Sequence, residues 1–159
     1  MLEPNKMDSN KDIKMKDIKM IDLSKTGLNK EAVYREAKAK AVISLSPITI
    51  QKIRNNEVPK GNVLLSSKLA GIMAAKNTSN LIPLCHPINI EFVDIEILLM
   101  ENIIEVYSLI KGEAKTGFEM EALIAVSIAA LTIYDFCKAI DDNIKITEIS
   151  LIYKTKSKN

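Results

Sequence analysis

Residues 122–134 read ALIAVSIAALTIY, the core of a longer helical pattern that runs from about residue 118 to 140. The run is apolar nearly all round, which means a helix buried on most sides. In a chain of 159 residues such a helix sits at the domain centre or in a subunit interface, so an oligomer is expected. It falls short of the ~18 to 20 apolar residues of a membrane span, and it runs into Asp135 and Lys138. The first twenty residues lack the continuous apolar core of a signal peptide. A cytoplasmic protein with no membrane partner is the expectation.

Outward from this helix the pattern changes. Residues 88–99 and 103–111 form a hairpin pattern with Glu101 and Asn102 in the turn, and residues 144–153 form a final strand. Residues 63–76 carry Leu65, Leu69, Ile72 and Met73 at helical spacing, with small residues between them for close packing. The turn of residues 58–62 precedes that helix, and Asn62 is placed to cap it. Pro47 suits the first turn of another helix. Residues 31–40, EAVYREAKAK, consist of strong helix formers, and residues 41–45 are a short β-branched run. Residues 18–23 alternate as a first strand would. Residues 1–16 are polar and aperiodic, as in a flexible arm. Together these elements predict an α+β fold, with helices covering one face of a largely antiparallel sheet.

Composition narrows the chemistry. The 22 Lys and Arg nearly balance 20 Asp and Glu, which gives no footprint for nucleic acid. Two cysteines, Cys85 and Cys137, are too few for a disulfide framework. With a single histidine they also make a metal site improbable. The five glycines form no phosphate loop, so a bound nucleotide would depend on side-chain cations. Lys60, Arg35 and the closing lysines 154, 156 and 158 are the candidates.

Four groups stand out as possible chemistry. Asp135 and Lys138 are three apart and share a helix face; they are either a surface ion pair or, if partly desolvated, an acid–base pair. Thr116 and Glu119 fit a capping box, which would account for Glu119. Glu121 points elsewhere, by ~200° on an ideal helix, and has no capping role. Two prolines stiffen the segment of residues 81–87, fixing the display of Leu84, Cys85 and His86; a lone histidine of this kind is a structural residue or a functional one.

Three blocks in order carry a resemblance. Residues 68–87, KLAGIMAAKNTSNLIPLCHP, and the stretches KTGFEMEAL and AALTIYDFCKA within residues 114–140 closely resemble signatures of the MoaC family. MIDLS at 20–24, VYREAKA at 33–39 and Lys60-Gly61 match upstream. The resemblance implies a ferredoxin-like fold and a hexamer, a trimer of dimers with active sites between subunits. It implies conversion of 3′,8-cyclo-7,8-dihydro-GTP, supplied by the radical SAM enzyme MoaA, into cyclic pyranopterin monophosphate with release of pyrophosphate. It implies no cofactor.

By motif position, Asp135 is the catalytic aspartate, Lys138 its partner and Lys60 a further catalytic cation. Leu84, Cys85, His86, Met120 and Glu121 bind substrate, with Glu119, Arg35 and Lys154 lining the pocket. The catalytic domain is expected over residues 17–154, followed by a basic tail at 155–159. That tail lacks the glycines common in the family, which leaves its role open. The rival readings are a non-catalytic assembly module and a different nucleotide-binding enzyme on the same fold.

Overall fold

The computed structural model describes residues 17–24 and 31–157; the expected flexible arm, residues 1–16, lies outside them. The chain forms β1 (Val33–Ser44), α1 (Pro47–Arg54), α2 (Val63–Lys76), α3 (Thr78–Leu81), β2 (Phe92–Leu99), β3 (Ile103–Ala114), α4 (Glu119–Cys137) and β4 (Lys145–Ser157). The strands make one sheet in the order β2-β3-β1-β4, every neighbouring pair antiparallel. Helices α2 and α4 lie side by side on one face, α4 across the central strands and α2 towards β2. This is the expected α+β, ferredoxin-like arrangement.

Two expectations about the strands fail. Residues 31–40 are not helical; most of them belong to β1, together with the β-branched run after them. Ala37, Ala39, Ala41 and Ile43 are wholly buried, while Glu36, Lys38 and Lys40 on the other face meet Lys111, the ring of Tyr107 and Glu105. Helix propensity differs by at most ~0.7 kcal/mol per ordinary residue. A two-residue period that buries one face and pairs β1 on both edges outweighs it. Residues 18–23 form no strand: Ile18 and Ile21 are exposed, and a turn closes at Ser24, whose N–H and hydroxyl both donate to Asp22 Oδ1.

The helix starts follow local chemistry. Ser46 caps α1 by accepting from Thr49 N–H, and Pro47 opens it. Asn62 caps α2 by accepting from Leu65 N–H at 2.9 Å. Helix α2 turns Ser67, Gly71, Ala74 and Ala75 inward, and Leu65, Leu69 and Met73 stay exposed. Helix α4 buries Ala122, Ala125, Val126, Ala129, Ala130, Ile133 and Cys137 completely but exposes Leu131 and Tyr134. By length and composition α4 could cross a membrane; here one side of it is the core of the domain. The outer sides of α2 and α4 remain as an apolar surface.

Candidate active site

The two ends of α4 carry two different clusters. At its start, Phe118 is fully buried and occupies the N-cap position with no side-chain cap. The expected Thr116–Glu119 capping box is therefore not formed, because anchoring Phe118 in the core sets the helix start. Glu119 instead sends its carboxylate to Lys154, with Nζ donating to Oε1 at 2.7 Å. The sheet register explains the neighbours. Lys154 pairs with Ala37 and Lys156 with Arg35, so three cations share the helix-covered side at one end of the sheet. Arg35 is fixed by donating from Nε to the carbonyl of Ala114 at 2.9 Å and from Nη2 to that of Lys115 at 3.3 Å.

These cations line a cavity of about 320 Å³ together with Gly117 and Glu119. A second cavity, about 430 Å³, shares Gly117 and Glu119 and is walled by Leu84, Cys85, His86 and Met120. His86 Nε2 lies 2.8 Å from the carbonyl oxygen of Ile21. Behind the wall Glu121 is 3% exposed. Its Oε1 is 4.0 Å from Cys85 Sγ and its Oε2 has no hydrogen-bond partner. Burial, reinforced by the charge of Glu119, pushes the Glu121 carboxyl up to about 7. Burial likewise raises the Cys85 thiol.

At the other end Asp135 accepts from two lysines, Lys138 Nζ at 2.8 Å on Oδ1 and Lys60 Nζ at 2.6 Å on Oδ2. Lys138 and then Lys60 hold the Asp135 carboxyl down, to about 2, and Asp135 in turn raises Lys138. Lys60 comes from the turn before α2, where Gly61 takes a φ of 107° that side chains resist. Lys60 thus sits on Asp135 and not beside Arg35. All three side chains are about half exposed. Along a helix rising ~1.5 Å per residue, Asp135 lies roughly 24 Å from Glu119.

The structure therefore gathers Arg35, Leu84, Cys85, His86, Glu119, Met120, Glu121 and Lys154 at one end, and Lys60, Asp135 and Lys138 at the other. Among the described residues no three His, Cys, Asp or Glu side chains group as a metal site would. Gly117 entered the sequence reading only as a member of the Thr116–Glu119 box and of the KTGFEMEAL block, with no role of its own. Lys156 was one lysine among several, although its spacing of two from Lys154 was a strand-parity signal for a shared face.

The chain is thus a ferredoxin-like domain with a cation-lined cavity beside a largely apolar one at one end of α4 and a lysine-clamped carboxylate at the other, a shape suited to a small charged ligand. Residues 20–157 match the MoaC family. The chain belongs to that family. It is 49% identical over 122 residues to the cyclic pyranopterin monophosphate synthase of Aquifex aeolicus, covering 77% of this chain but only 48% of that protein. The synthase of Heliobacterium modesticaldum is 51% identical over 70% of this chain and 71% of its own length. That of Peptoclostridium acidaminophilum is 51% identical over 76% of this chain and 77% of its own.

Proposed function

We propose that the chain is a cyclic pyranopterin monophosphate synthase, a lyase of molybdenum cofactor biosynthesis. It converts 3′,8-cyclo-7,8-dihydro-GTP to cyclic pyranopterin monophosphate and releases pyrophosphate. The observation that carries this reading is the pair of adjoining cavities at the start of α4. Arg35, Lys154 and Lys156 offer charge for phosphates, and Leu84, Cys85, His86 and Met120 offer a half-apolar wall for the guanine-derived ring. Glu121 stands behind the ring as a carboxyl that can exchange a proton near neutrality. Asp135, Lys138 and Lys60 supply the remaining acid–base groups.

Asp135 and Lys138 lie too far along α4, and Lys60 is held to Asp135, for the three to reach the same substrate from the same chain. A second copy must bring its own Asp135, Lys138 and Lys60 to the cavities, and the apolar outer sides of α2 and α4 are surface that association would cover. The assembly we propose is a hexamer, a trimer of dimers with active sites between subunits. It works in the cytoplasm on substrate delivered by the radical SAM enzyme MoaA.

Incubation with the cyclised dihydro-GTP, followed by oxidation and pterin fluorescence, tests the activity; no pterin would overturn it. Subunit mixing tests the shared site. An Asp135→Asn protein and an Arg35→Ala protein, each inactive alone, are unfolded, mixed and refolded together. Random assortment across a two-chain site restores about one quarter of wild-type activity. If the mixture stays inactive while refolded wild type recovers, each site belongs to one chain.

A further inference from the structure

Glu119 and Gly117 alone among the described residues line both cavities. Glu119 Oε1 is 2.7 Å from Lys154 Nζ. Its carboxylate folds back over Gly117 into the volume that a Cβ there would fill. Glycine at 117 is thus what permits this pose. Burial pushes the Glu119 carboxyl up, but Lys154, a backbone N–H and the charge of Arg35 outweigh it and hold the group below the usual carboxylate value. An ionised carboxylate seated on Lys154, in a cavity whose other charged walls are Arg35, Lys156 and Glu36, the last paired with Lys111, presents the charge and acceptor oxygens of a phosphate. No capping box forms at Phe118; Glu119 accepts from one first-turn N–H, its own, and its other partner is Lys154.

We propose that Glu119 is an internal anion occupying the phosphate seat of the empty enzyme. The polyphosphate takes Lys154 from it on binding, and Glu119 returns to Lys154 as pyrophosphate leaves. This rests on the reading of the Arg35–Lys154–Lys156 cavity as the phosphate end of the substrate site. Because the competitor is tethered, it acts at a fixed effective concentration and opposes retention of the product. Displaced from Gly117, the carboxylate has the adjoining cavity to enter, beside Cys85, His86 and Met120. The pair is part-exposed, with Glu119 27% and Lys154 65% accessible, so the competition is a matter of a few-fold.

Calorimetric titration of the full assembled protein with inorganic pyrophosphate, at fixed ionic strength, tests this. Glu119→Gln should tighten pyrophosphate about three- to fivefold, the scale of a part-exposed ion pair. Lys154→Ala should weaken it. In the Lys154→Ala background, adding Glu119→Gln should bring less tightening than it does alone, because the two residues are coupled. Gly117→Ala expels the carboxylate without removing its charge and should also tighten binding, which keeps a readout if Glu119→Gln misfolds. Unchanged or weaker binding in both Glu119→Gln and Gly117→Ala, with Lys154→Ala still weakened, overturns the internal anion alone. Pyrophosphate binding indifferent to Lys154→Ala, or absent from wild type, overturns the phosphate reading of the cavity and the internal anion with it.

Discussion

Glu121 and Asp135 ride on the same helix, and their surroundings drive them in opposite directions. Glu121 is buried with one carboxyl oxygen unpartnered, and it is pushed up to about 7. Asp135 is half exposed between two lysines and held down at about 2. An acid–base group works best with its pKa near the operating pH. Within one chain, then, Glu121 is ready to exchange a proton and Asp135 is a fixed negative charge. Carboxyls separated in this way mark distinct roles in a site. For Asp135 to move a proton its lysines must be drawn elsewhere or water removed, and on the function proposed above a covering subunit with a polyanionic substrate would do both. The comparison teaches that the cavity end of α4 already holds a buried carboxyl beside its cavities in one chain, whereas the other end is half exposed and, in the assembly proposed above, would complete its chemistry only against a second copy.

Asp135→Asn attacks the half-exposed end and should have the largest effect. It keeps the shape of the side chain and removes the charge that both lysines bind. Turnover should fall at least ~100-fold, the low end for loss of a general acid–base group. Light scattering should find the oligomer unchanged. Near-normal turnover would make the Asp135 cluster a surface ion pair and leave the comparison without a functional meaning.

The cavity end is tested through stability. The folded-state pKa of Glu121, about 7, lies above its ordinary 4.5, so between these values the folded protein binds more protons than the unfolded chain. Stability therefore falls as pH rises through that window, by about 3 kcal/mol at most for the single group. Glu121→Gln cannot ionise and should remove this loss. Urea unfolding from pH 5 to 8, at one protomer concentration, should give wild type a steeper decline than the variant. Identical slopes would mean that Glu121 ionises as freely in the folded state as in the unfolded one.

Much of this was open to sequence reading, and the failures have physical causes. The bounds of α2 and the hairpin of β2 and β3 follow from local signals: the Asn62 cap, helical spacing, and a turn between alternating runs. Residues 31–40 misled because Ala, Glu, Lys and Arg favour helices one at a time, although the alternation of Ala37, Ala39 and Ala41 with lysines already had the period of a strand. The capping box failed because Phe118 has a tertiary anchor that no local motif encodes. The candidate site residues were picked out as motifs. Their division into two clusters depends on which face of the sheet Lys154 joins and on where Lys60 meets α4, and both are set by register and packing.

The smallest predicted effect concerns Lys60 as a structural residue. Its contact with Asp135 is short, 2.6 Å, but the two side chains are 44% and 49% exposed. Exposed ion pairs add little to stability, because water and salt compete for both charges and two long side chains lose freedom. Asp135 also keeps Lys138 when Lys60 is removed. The turn that carries Lys60 is held by other means: Gly61 N–H donates to the Val58 carbonyl at 2.9 Å, and Asn62 accepts from Leu65 N–H. Lys60→Ala should therefore shift the thermal midpoint by no more than about 1 °C. Two residues along, Asn62→Ala loses a helix cap of ~1 kcal/mol and should lower the midpoint by about 2 to 4 °C. Scanning calorimetry on both variants gives the order directly. If Lys60→Ala proved the more destabilising of the two, the Lys60–Asp135–Lys138 cluster would be holding the fold together, and its exposure would no longer argue for a role that waits on a partner.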